Sequence, residues 1–194
     1  MNTFPDLHQY RQMLELFQGA NERFLGEQEN LIASRVSERT LCGQLMIYLN
    51  DRLRRLEGYD RYYVDVEYNR NFNRQIKRIL NHRNEAVSVT CDLIVHSRGE
   101  VSQQDNLVAI EMKKVKNRAG ERSRTIMTDQ ERLKALTRPS YDNDWHFDGY
   151  ALPEYICRYV LGVYYQINYH QRTIWIQYYR NGEVVDEQTI EVNI

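Results

Sequence analysis

Residues 88–113, SVTCDLIVHSRGEVSQQDNLVAIEMK, decide how the chain is to be folded. Ser88 to His96 is apolar and β-branched around a single acid, Asp92, and Leu107 to Lys113 alternates, so each reads as a strand. The segment from Arg98-Gly99 to Asp105-Asn106 is polar and joins them. Alternation puts Val108, Ile110 and Met112 on one face of the second strand, and Ala109, Glu111 and Lys113 on the other. Asp92 interrupts its strand, where an acid must be solvated, paired or bound to a metal, because burying it alone is costly. If the two strands pair, Asp92 and Glu111 converge.

Working upstream, Tyr62 to Tyr68 (YYVDVEY) is aromatic and β-branched and predicts another strand. Before it, Ser34 or Ser37 can cap a helix running to about Glu57 and ended by Gly58. The steps of four and three between Leu41, Leu45, Leu49, Leu53 and Leu56 mark its buried face, and Glu38 starts the same stripe. Phe4-Pro5-Asp6 opens an earlier helical segment with Leu7, Met13, Leu14, Phe17 and Phe24 at roughly helical spacing. Downstream, Thr128 to Thr137 predicts a short helix with Leu133 and Leu136 inward, and Arg158 to Ile167 a strand. Ile174 to Tyr179 and Val184 to Val192 form a hairpin about Asn181-Gly182, a pair that favours the type I′ turn. The predicted order is helix, three strands, helix, strand, with an extra N-terminal helix and a C-terminal β-hairpin. The class is α/β.

The chain has 194 residues, 42% of them hydrophobic, enough for one core. One domain over 1–194 is expected, with a core at about 34–167, a helical extension at 1–33 and the hairpin at 172–194. Net charge is −1, so overall charge calls for no nucleic-acid partner. The distribution is more telling. Only five of the 26 basic residues are Lys, and Lys113, Lys114 and Lys116 fall within four positions. Cys42, Cys91 and Cys157 are odd in number and widely spaced, which argues against a disulfide framework or a Cys-rich zinc site. The first ten residues lack a leader pattern and no apolar run is long enough for a membrane helix, so a cytoplasmic protein is expected.

The residues that could carry chemistry are Glu38, Asp92, Glu111 and Lys113. Each has a plain alternative. Glu111 and Lys113 can be a same-side pair on a solvated strand, Asp92 can lie at a wet strand start, and Glu38 suits the first turn of a helix. Together they form an ordered set: a helix Glu, a strand Asp, 18 intervening residues, then Glu-x-Lys on the next strand. Two carboxylates with water are a usual way to hold Mg²⁺.

This order resembles the PD-(D/E)XK nuclease superfamily, the restriction-endonuclease-like fold. Cys91-Asp92 stands where the family has Pro-Asp, and Glu111-Met112-Lys113 matches (D/E)-x-K. Ser37-Glu38-Arg39-Thr40 is similar to the helix signature of a bacterial subgroup, as are Asp92-Leu93-Ile94-Val95-His96, Arg98-Gly99 and Asp105-Asn106-Leu107 downstream. The resemblance implies a restriction-endonuclease-like core and metal-dependent hydrolysis of nucleic acid, DNA first. Asp92, Glu111 and Glu38 would serve as ligands of Mg²⁺, with Mn²⁺ as substitute. It implies that Lys113 orients the attacking water or stabilises developing charge, a role as literal base requiring a depressed pKa.

Two basic stretches fit a nucleic-acid partner. Residues 113–124 hold six Lys or Arg against one Glu, and residues 69–83 hold five with no acid. Arg70, Arg74, Lys77, Arg78, Lys114, Lys116, Arg118, Arg122 and Arg124 are the candidate phosphate contacts. Tyr141, Trp145, Phe147 and Tyr150 could touch bases or cover an apolar edge. His96 could line the site but reads rather as a strand-end residue, and Asp129 and Lys134 resemble features of the subgroup's late helix, with helix capping explaining Asp129 equally well. The rival function is an inactive module of the same fold that binds nucleic acid or a protein. RNA as substrate and a homodimer that cuts both strands stay open.

Overall fold

The computed structural model describes residues 6–70, 75–80, 83, 85–115, 128–140 and 155–194. Its centre is a six-stranded mixed sheet in the order β1 (Tyr63–Val66), β4 (Leu93–His96), β5 (Asn106–Lys114), β6 (Leu161–Asn168), β7 (Thr173–Arg180) and β8 (Glu183–Glu191). β5 and β6 run parallel and every other neighbouring pair is antiparallel. The parallel step between β5 and β6 is crossed by α4 (Asp129–Thr137), as a parallel connection requires. A separate two-stranded sheet pairs β2 (Arg78–Leu80) with β3 (Ala86–Ser88).

The central sheet is covered on both sides. On one side lie α1 (Leu7–Glu27), the single-turn α2 (Glu29–Ala33) and α3 (Glu38–Leu53). Met13, Phe17 and Phe24 of α1 and Leu41, Leu45, Leu49 and Leu53 of α3 are fully buried there against Val108, Ile110 and Met112. Leu7, expected on this stripe, is instead exposed. On the other side Leu133 and Leu136 of α4 and Ile79 of β2 pack on Ile94 and Ala109. α4 lies close on β6: a Cβ built at Gly162 would stand 2.9 Å from Thr137 Cγ2 and 3.0 Å from Tyr179 Cβ. That bare backbone sets the height of α4 over the sheet.

Two expected elements change shape. The strand foreseen from Ser88 divides, because Ala86–Ser88 pairs with β2 while β4 begins only at Leu93. α3 stops at Leu53 rather than near Glu57, since Arg54 donates to the carbonyls of Asp60 and Tyr62 and draws the chain back. Gly58 then takes the left-handed conformation in the turn that follows, φ +86°. The hairpin forms about Asn181 and Gly182, both at positive φ as a type I′ turn demands, and β7 extends the central sheet beside β6. Among the described residues no helix is long and apolar enough to cross a membrane.

Candidate active site

The C-terminal end of β5 outruns its neighbour. β4 pairs with β5 only as far as Leu93 opposite Ile110, so the next amides on that edge of β5, Met112 and Lys114, have no strand to bond to. Buried backbone N–H groups need acceptors. Two carboxylates stand in for the missing strand. Asp92 Oδ2 accepts from the Met112 N–H at 2.7 Å, and Glu38 Oε1 accepts from the Lys114 N–H at 2.7 Å.

Local chemistry puts Glu38 there. Ser37 caps α3 by accepting from the Thr40 N–H at 3.1 Å, which leaves the Glu38 carboxylate, in the first turn, to reach β5. Asp92 arrives because β4 follows it directly. Among the described residues, Asp92 Oδ1 and Glu38 Oε2 receive no hydrogen bond.

Glu111 points the other way, under α4, and is 1% exposed. The solvated-strand alternative therefore fails for it. Its carboxylate is gripped by the Arg132 guanidinium, Nε to Oε1 at 3.0 Å and NH2 to Oε2 at 3.1 Å. The same NH2 donates to Asp129 Oδ1 at 2.5 Å, and Asp129 Oδ2 lies 3.2 Å from Lys113 Nζ. The cap of α4 belongs to Thr128 and Glu131, which form a reciprocal capping box. Asp129 is thus free of the capping role expected of it and faces the cluster.

The charges at this end act on one another. Burial is the main force pushing the Asp92 carboxyl above its usual range; Asp129 and Glu38 add to it and the Met112 N–H opposes it. Burial likewise pushes Glu111 up, to about 8, with Asp92 and Asp129 adding and Arg132 opposing. Lys113 moves the opposite way from a catalytic base. Burial would lower it, but Asp129, Glu38 and Asp92 outweigh burial and hold its ammonium protonated.

The structure brings Glu38, Asp92, Glu111 and Lys113 to one end of β5 and adds Asp129 and Arg132. Arg132 gave no sequence signal beyond its place three residues after Asp129, on the face that α4 lays on the sheet. As the side chains stand, no three His, Cys, Asp or Glu among the described residues converge to hold a metal. The donors nevertheless suit a hard cation. All are carboxylate oxygens, two of them without a hydrogen bond, in a cluster where Asp92 and Glu111 are held above their normal range.

The expected phosphate contacts fare unevenly. Lys77 is 2% exposed, its ammonium donating to Tyr159 Oη at 2.8 Å between the rings of Tyr68 and Tyr159. It cannot meet an external phosphate, because the β2–β3 sheet folds it inward. Lys114 Nζ donates to the carbonyls of Val36 and Arg35, at 2.7 and 3.2 Å, and so ties the α2–α3 junction to β5 instead of reaching outward. Arg70 and Arg78 are exposed. Arg74, Lys116, Arg118, Arg122 and Arg124 lie outside the described residues, as do Tyr141, Trp145, Phe147 and Tyr150. His96 sits at the far end of β4, bonded to Asp65. No family model, curated protein or solved structure matches the chain.

Proposed function

We propose that the chain is a metal-dependent nuclease of the restriction-endonuclease-like kind, hydrolysing phosphodiester bonds in DNA. One observation carries this reading: a helix Glu, a pre-strand Asp and an adjacent Glu-x-Lys, far apart in sequence, meet where β5 outruns β4. The order α3, β1, β4, β5, α4, β6 supports a core of helix, three strands, helix and strand, with β2–β3 inserted and β7–β8 appended.

Asp92 and Glu111, with Glu38 beside them, would hold Mg²⁺ or Mn²⁺. When bound, such a cation would supply Lewis-acid activation of water and neutralisation of phosphoryl charge. The chain's own residues account for the rest. Lys113, kept protonated by three carboxylates, supplies a fixed positive charge for the oxyanion that builds as the P–O bond breaks. Asp129 holds that ammonium in place at 3.2 Å. Met112 and Lys114 N–H groups fix one oxygen of Asp92 and Glu38, leaving the other oxygen of each to turn toward the ion. Among the described residues, exposed Arg70 and Arg78 are the candidates for contact with the nucleic-acid backbone.

The test is cleavage of plasmid and single-stranded DNA by the full chain with Mg²⁺ or Mn²⁺, with an RNA arm beside it. Activity should stop under EDTA and fall about a hundredfold or more in Asp92→Ala and Lys113→Ala. Undiminished cleavage in both variants overturns the assignment. The Arg132–Glu111 pair favours one second reading, a module of the same fold that binds nucleic acid or protein without hydrolysis. Calorimetry separates the two: the second reading has nucleic acid binding with no uptake of Mn²⁺.

A further inference from the structure

We propose that Arg132 is a built-in counter-ion that competes with the divalent cation for Glu111 and Asp129, and so sets how much metal the site needs before it loads. The inference rests on the nuclease reading and concerns the regulation of the same site.

Three observations carry it. The first is position. One guanidinium nitrogen, NH2, lies 3.1 Å from Glu111 Oε2 and 2.5 Å from Asp129 Oδ1, bridging two carboxylates as a divalent ion would. The second is exclusivity. Glu111 has no hydrogen-bonding partner other than Arg132 among the described residues, whereas Asp129 also has Lys113. Removing the guanidinium therefore leaves only Glu111 without a hydrogen-bond partner, so an incoming divalent ion meets one competitor fewer there. The third is an exit. The Arg132 side chain is 23% exposed against 2% for that of Glu111, so the guanidinium can turn toward water while the carboxylate cannot follow. Arg suits the holding role because its planar fork meets a carboxylate through two parallel bonds, which the point charge of Lys cannot copy.

Arg132 touches no reacting atom in this scheme. It is a positioning residue acting through Glu111, and its signature is a change in metal affinity measured without turnover. Mn²⁺ binding to the full chain at pH 8 is followed by electron paramagnetic resonance or calorimetry, with no nucleic acid present. Arg132→Met keeps the apolar stem and removes the fork, and should bind Mn²⁺ about tenfold more tightly than wild type. Arg132→Lys keeps the charge but loses the two-point grip, should gain about threefold, and guards against a folding failure in the first variant. Equal or weaker Mn²⁺ binding in folded Arg132→Met, or in Arg132→Lys if only that variant folds, overturns the proposal while leaving the nuclease reading intact. If neither wild type nor the variants take up Mn²⁺, the metal-site reading fails and this inference falls with it.

Discussion

Two aspartates flank β4, and burial penalises both, yet they are driven in opposite directions. Asp65, on β1, accepts from His96 Nε2 at 3.0 Å and from Arg98 Nε and NH2 at 2.8 and 2.6 Å. Burial alone would raise its carboxyl, but these donors hold it far below the usual carboxylate range. Asp92, at the other end of the strand, has one backbone N–H and acidic neighbours, and its carboxyl is pushed up. Asp65 is given three hydrogen-bond donors by the protein, two of them on the Arg98 cation. Asp92, the carboxylate proposed to do chemistry, is left short of positive charge, at some cost in stability.

The largest test of that contrast is Asp65→Asn. It weakens the hydrogen bond of buried, neutral His96 and leaves half-exposed Arg98 without its counter-charge, and should cost about 2 kcal/mol in urea unfolding, the solvent-screened Arg98 side keeping it below the full value for a buried pair. Mn²⁺ binding should be unchanged in this variant. A loss under about 0.5 kcal/mol would mean that the Asp65 cluster does not brace the sheet.

The pH profile separates the two ends next. For Asp65 the folded carboxyl is depressed, so its stabilisation is present above about pH 4 and disappears as pH falls through the folded value. For Glu111 the folded carboxyl is raised to about 8, so its contribution is complete below about pH 4.5 and is lost as pH rises toward 8. Metal-free protein should therefore lose stability on both sides of mildly acidic pH. The acid limb should vanish in Asp65→Asn and the alkaline limb in Glu111→Gln. Saturating Mn²⁺ should flatten the alkaline limb only, as read by thermal unfolding. An alkaline limb that persists in Glu111→Gln assigns it to another group.

Asp92→Asn inverts the sign of the first test. The amide oxygen can still accept from Met112 N–H while the crowded negative charge is gone, so metal-free stability should rise by about 0.5 kcal/mol as cleavage is lost. Instability in this variant would make Asp92 a second structural acid and erase the contrast.

The difference between the ends also explains what the amino-acid order reveals. α3 was legible because its Leu stripe and Ser37 cap are local, and the hairpin because Asn181-Gly182 prescribes its own turn. β5 was legible from alternation, which correctly put Glu111 opposite the face of Ile110 and Met112. The division of 86–96 into β3 and β4 was not, because apolar β-branched residues suit either partner and only tertiary pairing chooses between them. From strand pairing alone Asp92 and Glu111 could be expected at one end of β5; that Glu38 and Lys113 join them was only what the family resemblance implied. The clamp of Arg132 could not, since a guanidinium on a short helix reads as a solvated charge until the sheet beneath it is in place. Lys77 misleads for the same reason, a basic residue in a basic stretch that the β2–β3 pairing folds inward.

The smallest expected effect bears on which part of Ser37-Glu38-Arg39-Thr40 belongs to the site. Ser37 caps the helix and Glu38 reaches β5, whereas Arg39 pairs with Glu67 at the surface, its own side chain 71% exposed. An exposed pair gains little over its separately hydrated ions, so Arg39→Ala should leave the unfolding free energy within the error of a urea melt. Because Glu67 stands on the chain just after β1 and its N–H donates to the Asp92 carbonyl at 3.1 Å, the pair could instead fix the backbone that carries Asp92. The two roles differ in kind. A surface pair leaves Mn²⁺ affinity where it was, whereas a brace for Asp92 weakens it without moving stability. An affinity drop in Arg39→Ala would extend the proposed metal site to the surface of α3, and unchanged affinity would confine it to the carboxylates at the end of β5.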